Sequence, residues 1–180
     1  TPAWLVGGAV RDVALGRDVN DLDIAVVGPP EAPARAIARA LGGVAFELSE
    51  EFPAWRAKDR EDAWQVDVAE LRAETIEGDL ARRDFTVGAV AVSLDSGEAL
   101  DPLGGLVDLR SGTIRACGPT SFSDDPLRLM RAARLVAQFG WEIEPETLEL
   151  GRAVSARAAD PAGERTLAEL LLLIGARDPL

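Results

Sequence analysis

Asp21 and Asp23, in the run Asp21-Leu22-Asp23-Ile24-Ala25-Val26-Val27, are the residues whose type and spacing most suggest chemistry. On an extended chain side chains repeat every two residues, so both carboxylates point to one face while Leu22 and Ile24 point to the other. Carboxylates forced side by side repel unless a cation sits between them, and a divalent metal is the simplest such cation. Upstream stand Gly7 and Gly8. Glycines opening a helix let backbone N–H groups approach a phosphate, whose charge the helix start favours. Taken singly, a Gly-Gly pair is more often a tight turn and an Asp-x-Asp pair a surface feature. Joined in one strand–turn–helix–strand unit, they point to metal plus phosphate.

The elements that must position these residues follow from hydrophobic period. The pattern predicts a strand over 4–6, a helix over 9–15 and a strand over 22–27. A helix over Glu31–Leu41 is closed by Gly42-Gly43, and strands follow over Val44–Leu48 and Trp64–Ala69. Glu77–Arg83 reads as helical, and Ala89–Leu94 and Glu98–Leu100 flank a hairpin turn at Asp95-Ser96-Gly97. Leu103–Leu109 is a glycine-containing loop or short helix, and Thr113–Ala116 a last short strand. After Gly118-Pro119 the period turns helical: Asp124–Phe139 with Pro126 in its first turn, Pro145–Ala159, and Glu164–Ile174. The last of these carries Leu167 and Leu170–Leu173 with little polar relief, which predicts that it packs on something else. The fold class expected is α+β, a mixed-sheet domain over 1–118 followed by a helical domain over 119–180.

A third carboxylate would complete a two-metal site, whose ions sit ~3.5–4 Å apart and clamp attacking and leaving oxygens. Asp67, in Gln65-Val66-Asp67-Val68, is the candidate. It lies opposite the apolar face of Trp64, Val66 and Val68, and a solvent-facing strand residue is its other reading.

Composition narrows the chemistry further. The chain has 180 residues, 47% of them apolar, as in ordinary globular proteins. Its apolar runs, such as Leu170–Ile174, are far too short to span a bilayer, and nothing near Thr1 resembles a signal peptide. A single cysteine, Cys117, allows no internal disulfide and fits a cytoplasmic location. Histidine is absent, which removes His-ligated zinc and Ser-His triads and leaves oxygen-ligated Mg²⁺ or Mn²⁺ as the natural metal. A net charge of −12 weighs against a generic nucleic-acid binder, yet Arg82-Arg83 and then Arg128, Arg131 and Arg134 form a local basic cluster.

Leu5-Val6-Gly7-Gly8-Ala9-Val10-Arg11-Asp12 with Leu15-Gly16 and Asp21-x-Asp23-Ile24-Ala25 resembles the signature of the tRNA nucleotidyltransferase/poly(A) polymerase family, of the bacterial and eukaryotic class. The resemblance continues in order. Asp79-Leu80-Ala81-Arg82-Arg83-Asp84-Phe85-Thr86 is similar to the family's second motif, and Asp101-Pro102-Leu103-Gly104-Gly105 with Asp108-Leu109 to its third. Asp124-Asp125-Pro126-Leu127-Arg128 with Arg131 and Arg134 is similar to the fourth, and Glu164-Arg165 stands where a fifth begins. The resemblance implies a polymerase-β-like head with a helical neck. It also implies template-independent addition of CMP and AMP, taken from CTP and ATP, to the 3′ end of tRNA. Asp21 and Asp23 would be metal ligands, Asp67 the third acidic residue, and Gly7, Gly8 and Arg11 part of the nucleotide site. Arg82, Arg83 and Asp84 would serve sugar and phosphate, while Arg131 and Arg134 would support the pocket or meet phosphate.

The fourth motif also has a physical reading. Asp125 and Arg128 are one helical turn apart, and as a surface pair they would form an i,i+3 salt bridge worth a few tenths of a kcal/mol. The Watson–Crick edges of cytosine and adenine both set an amino donor beside a ring-nitrogen acceptor, whereas uracil and guanine reverse that order. An acceptor from Asp125 and donors from Arg128 therefore match C and A and mismatch U and G.

Two departures bear on which nucleotides are added. The second motif of the family carries Asn where this chain has Gly88, and the stretch Ala73–Gly78 is shorter than the family's usual flexible loop. Within the family a short loop resembles enzymes that add only CC. Addition of CC alone and poly(A) synthesis are therefore the enzymatic alternatives. A catalytically inactive RNA-binding head and a metal-dependent phosphohydrolase are the alternatives of other kinds.

Overall fold

A computed structural model describes residues 1–49 and 53–175. The predicted 119–180 segment is thus described through Gly175, and residues 50–52 and 176–180 lie outside the described residues. The chain divides into two compact units, one formed by Thr1–Leu80 with Val90–Pro102, the other by Ala81–Ala89 with Leu103–Leu180. These units interleave along the chain, whereas the expected division into 1–118 and 119–180 is linear. Residues 81–89 and 103–118 pack with the helical segment.

The first unit begins with β1 (Ala3–Val6), α1 (Gly8–Ala14), β2 (Asp21–Val26), α2 (Glu31–Leu41), β3 (Val44–Ser49), β4 (Ala54–Lys58), β5 (Gln65–Glu70) and α3 (Ile76–Ala81). A hairpin, β6 (Ala91–Ser93) and β7 (Ala99–Leu100), completes it. Among the described residues these strands form one mixed sheet in the order β3-β4-β5-β2-β1-β6-β7. β2 and β5 run parallel, and β1 with β2, β4 with β5 and β3 with β4 run antiparallel. One face of the sheet is apolar. Val26, Ala57, Val66 and Val68 bury there against Ala34 and Ala38 of α2, with Ile24, Trp55 and Trp64 around them. Alanines on the inner face of α2 let its backbone lie close to the sheet, and Ala34 is fully buried. α2 ends at Gly42 in the left-handed conformation.

The second unit contains a 3₁₀ turn (Thr86–Gly88), α4 (Gly105–Ser111), β8 (Thr113–Ile114), α5 (Ser121–Asp124), α6 (Arg128–Phe139), β9 (Glu142–Ile143), α7 (Pro145–Ala153), a second 3₁₀ turn (Ser155–Arg157) and α8 (Gly163–Ile174). Its core is Phe85, Val87, Leu109, Ile114, Phe122, Ala132 and Leu135. α7 starts at Pro145, and the Glu144 carboxylate caps it by accepting from the Thr147 N–H. No helix among the described residues is long and apolar enough to cross a membrane.

Several expectations change. β4 lies where no strand was predicted, and β9 was likewise missed. The predicted strand 113–116 pairs only over Thr113–Ile114, and 89–94 only over Ala91–Ser93, because Thr86–Gly88 turns tightly just before it. The helix predicted over 145–159 stops at Ala153 and resumes as a 3₁₀ turn. Most important, the helix predicted over 124–139 begins only at Arg128, and the short helix α5 before it ends at Asp124. Pro126 crowds the backbone of the residue before it and disfavours the helical region there. Asp125 is accordingly extended, at φ −146° and ψ 99°, and α6 starts only at Arg128.

Candidate functional site

The carboxylates predicted to act together share one row of the sheet. Asp23 on β2 is in register with Asp67 on the parallel strand β5, so the two side chains emerge on the same face of neighbouring strands. Asp21, two residues before Asp23, emerges on that face as well, and both are exposed. The row continues on the other side of β5, where Arg56 of β4 is in register with Asp67. Its guanidinium donates two parallel hydrogen bonds to the Asp67 carboxylate, Nε to Oδ1 and Nη2 to Oδ2, both 2.7 Å. The hydrogen bonds that Arg56 donates to Asp67 raise its pKa above the ordinary value; burial opposes this, and the charges of Asp67, Asp21 and Asp23 add to it. All three carboxylates therefore act on the Arg56 charge. Arg56 was not anticipated from the sequence; the signal lay in Ala54-Trp55-Arg56-Ala57-Lys58, where Trp55 and Ala57 alternate with the charged Arg56 and Lys58 at strand period.

A divalent ion suits this donor set. It is all oxygen, it contains no histidine or cysteine, and Asp21 and Asp23 are open to solvent. Among the described residues no three acidic side chains already converge into a formed metal cage. The bidentate pair with Arg56 engages both oxygens of the Asp67 carboxylate.

Gly7 precedes α1 at φ 75° and ψ −145°, a conformation that L side chains rarely adopt, so the glycine there is a backbone requirement. A Cβ on Gly8 would approach the Arg11 guanidinium at 3.2 Å. Arg11 itself makes a bidentate pair with Asp12, 2.9 Å for each bond.

The remaining predicted residues, Arg82, Arg83, Asp84, Asp125, Arg128, Arg131 and Arg134, belong to the second unit. The i,i+3 ion pair between Asp125 and Arg128 is not formed among the described residues. Asp125 Oδ1 accepts from the Leu127 N–H at 3.2 Å, and Oδ2 accepts from Arg165 of α8 at 2.7 Å. Arg128 instead reaches back, donating to the carbonyls of Arg82 (2.8 Å), Arg83 (3.2 Å) and Ser121 (3.2 Å) and to the Ser121 hydroxyl at 2.9 Å. It thereby fixes the backbone carrying the two arginines.

Asp84 is largely buried and pairs with Arg131 at 2.7 Å. Burial alone would push its carboxyl up, but Arg131, the Phe85 N–H and Arg128 outweigh it and hold the carboxyl below its ordinary value. Burial works against the Arg131 charge too, and Asp84 and Glu169 raise its pKa nonetheless. Glu169 of α8 accepts from Arg131 at 3.2 Å and from Arg134 at 2.7 Å. Arg131 and Arg134 are therefore joined to buried acids rather than standing as a bare phosphate patch. Cys117 is pushed up to about 12, first by burial and then by Asp84, so its thiol stays protonated at neutral pH. Gly88, which stands where the family has Asn, has room for a side chain: a Cβ there would meet Asp84 Oδ1 at an ordinary 3.5 Å.

Comparison with known proteins agrees with this arrangement. The family described as the poly A polymerase head domain matches residues 3–115. A CC-adding tRNA nucleotidyltransferase of Geobacter sulfurreducens is 46% identical over 96% of this chain and 40% of its own length. An A-adding tRNA nucleotidyltransferase of Deinococcus radiodurans is 41% identical over 98% of this chain and 41% of its own length. Among solved structures, a CCA-adding enzyme in complex with CTP superposes with a TM-score of 0.89 at 34% identity, over 99% of this chain and 45% of that one. The Thermotoga maritima CCA-adding enzyme complexed with tRNA superposes at 0.87 and 36% identity, over 99% and 44%. The chain thus spans less than half the length of these relatives. It belongs to the tRNA nucleotidyltransferase/poly(A) polymerase family.

Proposed function

We propose that this chain is the catalytic and base-selecting part of an enzyme that adds CMP and AMP to the 3′ end of tRNA, without a nucleic-acid template and with release of pyrophosphate. The observation that carries the proposal is the row Asp23–Asp67 with Asp21 on the same face, in a chain of this family. Asp21, Asp23 and Asp67 would hold Mg²⁺ or Mn²⁺, which when bound neutralises triphosphate charge and makes a hydroxyl more acidic. The terminal 3′-hydroxyl oxygen bonds to the α-phosphorus of the nucleotide as the bond to pyrophosphate breaks. That step asks the protein for position and charge rather than for a base of special pKa, so a chain without histidine can perform it. Gly7, Gly8 and Arg11 would seat the triphosphate, and Arg82, Arg83 and Asp84 sugar and phosphate. Asp125 and Arg128 would read the base, with Arg131 and Arg134 holding the surrounding helices in place. Arg128 Nε makes no hydrogen bond among the described residues and is a donor left for a base. The catalytic work belongs to residues 1–118 and base selection to 119–180. A cytoplasmic location suits this substrate.

Addition of CC alone is the second reading, favoured by the short Ala73–Gly78 stretch and the CC-adding relative of Geobacter sulfurreducens. Full-length protein given tRNA lacking its 3′ end and single labelled nucleotides separates the two. CMP followed by AMP supports the first reading, and CMP without AMP the second. Transfer of no nucleotide in Mg²⁺ or Mn²⁺ would overturn both.

A further inference from the structure

Arg56, Asp67 and Asp23 stand in register on three adjacent strands, β4, β5 and β2, with Asp21 two residues along the same face. Neighbouring strands lie about 4.8 Å apart, so the three aspartates crowd each other at a distance where like charges cost stability. Arg56 engages Asp67 through both of its oxygens, the geometry that fixes a carboxylate most firmly. The Arg56 and Asp67 side chains are 28% and 24% exposed, so the pair is shielded but open to an arriving ion. Val6 flanks Asp23 on β1 and Phe46 flanks Arg56 on β3, so the row's register neighbours on either side are apolar.

We propose that Arg56 is a positioning residue that stands in for the metal. While the site holds no divalent cation, its guanidinium neutralises Asp67 beside Asp21 and Asp23, and it yields that carboxylate when such a cation arrives. The inference rests on the metal reading proposed above. It distinguishes Arg56 from a plain structural ion pair, because guanidinium and metal compete for the same oxygens. Removing the guanidinium charge then exposes mutual repulsion in the metal-free protein and strengthens the site's hold on a divalent ion.

The test is Mn²⁺ binding, read from loss of the free-ion EPR signal, together with thermal melting in EDTA and in Mn²⁺, on the full-length protein. Arg56→Met and Arg56→Gln are expected to melt lower than wild type in EDTA and to gain more from Mn²⁺. They should bind Mn²⁺ on the order of tenfold more tightly. Arg56→Lys, which keeps the charge, should resemble wild type in all three readouts. Equal Mn²⁺ affinity and equal metal-induced rise in Arg56→Met, Arg56→Gln and wild type would overturn the inference and leave the metal reading intact. Weaker Mn²⁺ binding in both uncharged variants would overturn it as well, since Arg56 would then prepare Asp67 for the ion. Arg56→Lys behaving like Arg56→Met would contradict the charge argument. Wild-type protein with no Mn²⁺ binding that Asp23→Asn removes would overturn the metal reading itself, and this inference with it.

Discussion

Asp23 is exposed, in register with Asp67 and two residues from Asp21, so its carboxylate contributes charge to the site and little to the core. Asp23→Asn is therefore expected to leave the melting temperature nearly unchanged while lowering nucleotidyl transfer on the order of 100-fold or more, the scale of several kcal/mol of lost charge stabilisation. Single-turnover incorporation of labelled CMP measures it. Asp125 carries a different kind of information. Its Oδ2 accepts from Arg165 and its backbone is extended ahead of Pro126, so the carboxylate is held in one place. Asp125→Ala should relax the exclusion of UTP by roughly 10–100-fold, as expected when a polar edge loses its partner. UTP excluded as firmly as in wild type would remove Asp125 from base selection. The aspartates could be found in the sequence because strand period alone puts them on one face. Arg56 could not, because its meaning depends on which strand lies beside β5, and pairing order is a long-range property.

At the scale of elements, α6 and α8 are tied by charge as well as by packing. Glu169, buried on α8, accepts from both Arg131 and Arg134 of α6. Glu169→Gln leaves two cations short of a partner and should destabilise the unit by about 3 kcal/mol, read by denaturant unfolding. The same network makes stability depend on acid. The Asp84 carboxyl is held below its ordinary value of 3.8, so its contribution is fully present above that pH. It is lost as pH falls through the lower, folded-state value. Asp84→Asn should therefore melt lower at neutral pH and lose less than wild type between pH 5 and 3. In the other unit, a Cβ on Gly43 would run into the Lys58 carbonyl and the Trp64 ring. Gly43→Ala is expected to cost about 1–3 kcal/mol through a shift of β3 against β4. Period analysis located most of these elements but failed where backbone chemistry overrides it. Asp124–Phe139 reads as one continuous helix by period, but Pro126 disfavours the helical region at Asp125 and α6 starts only at Arg128. β4 escaped notice because Ala54–Lys58 offers only Trp55 and Ala57 as its apolar face.

At the scale of the molecule, a chain of net charge −12 would, on the function proposed above, have to handle polyanions. The arginines that suggested a basic patch do not all supply one, since Arg131 and Arg134 neutralise acids within the fold. The chain spans less than half the length of its relatives. α8 shows the apolar face predicted from its leucines, with Leu167, Leu171 and Ile174 all more than half exposed. Incorporation of labelled CMP into tRNA lacking its 3′ end, by full-length wild-type protein and Asp23→Asn side by side in Mg²⁺, tests the carboxylate row most directly. Wild type should extend the RNA and release one pyrophosphate per nucleotide added, with the variant nearly inactive but equally folded. Equal extension by both proteins, or release of phosphate in place of pyrophosphate, would contradict it.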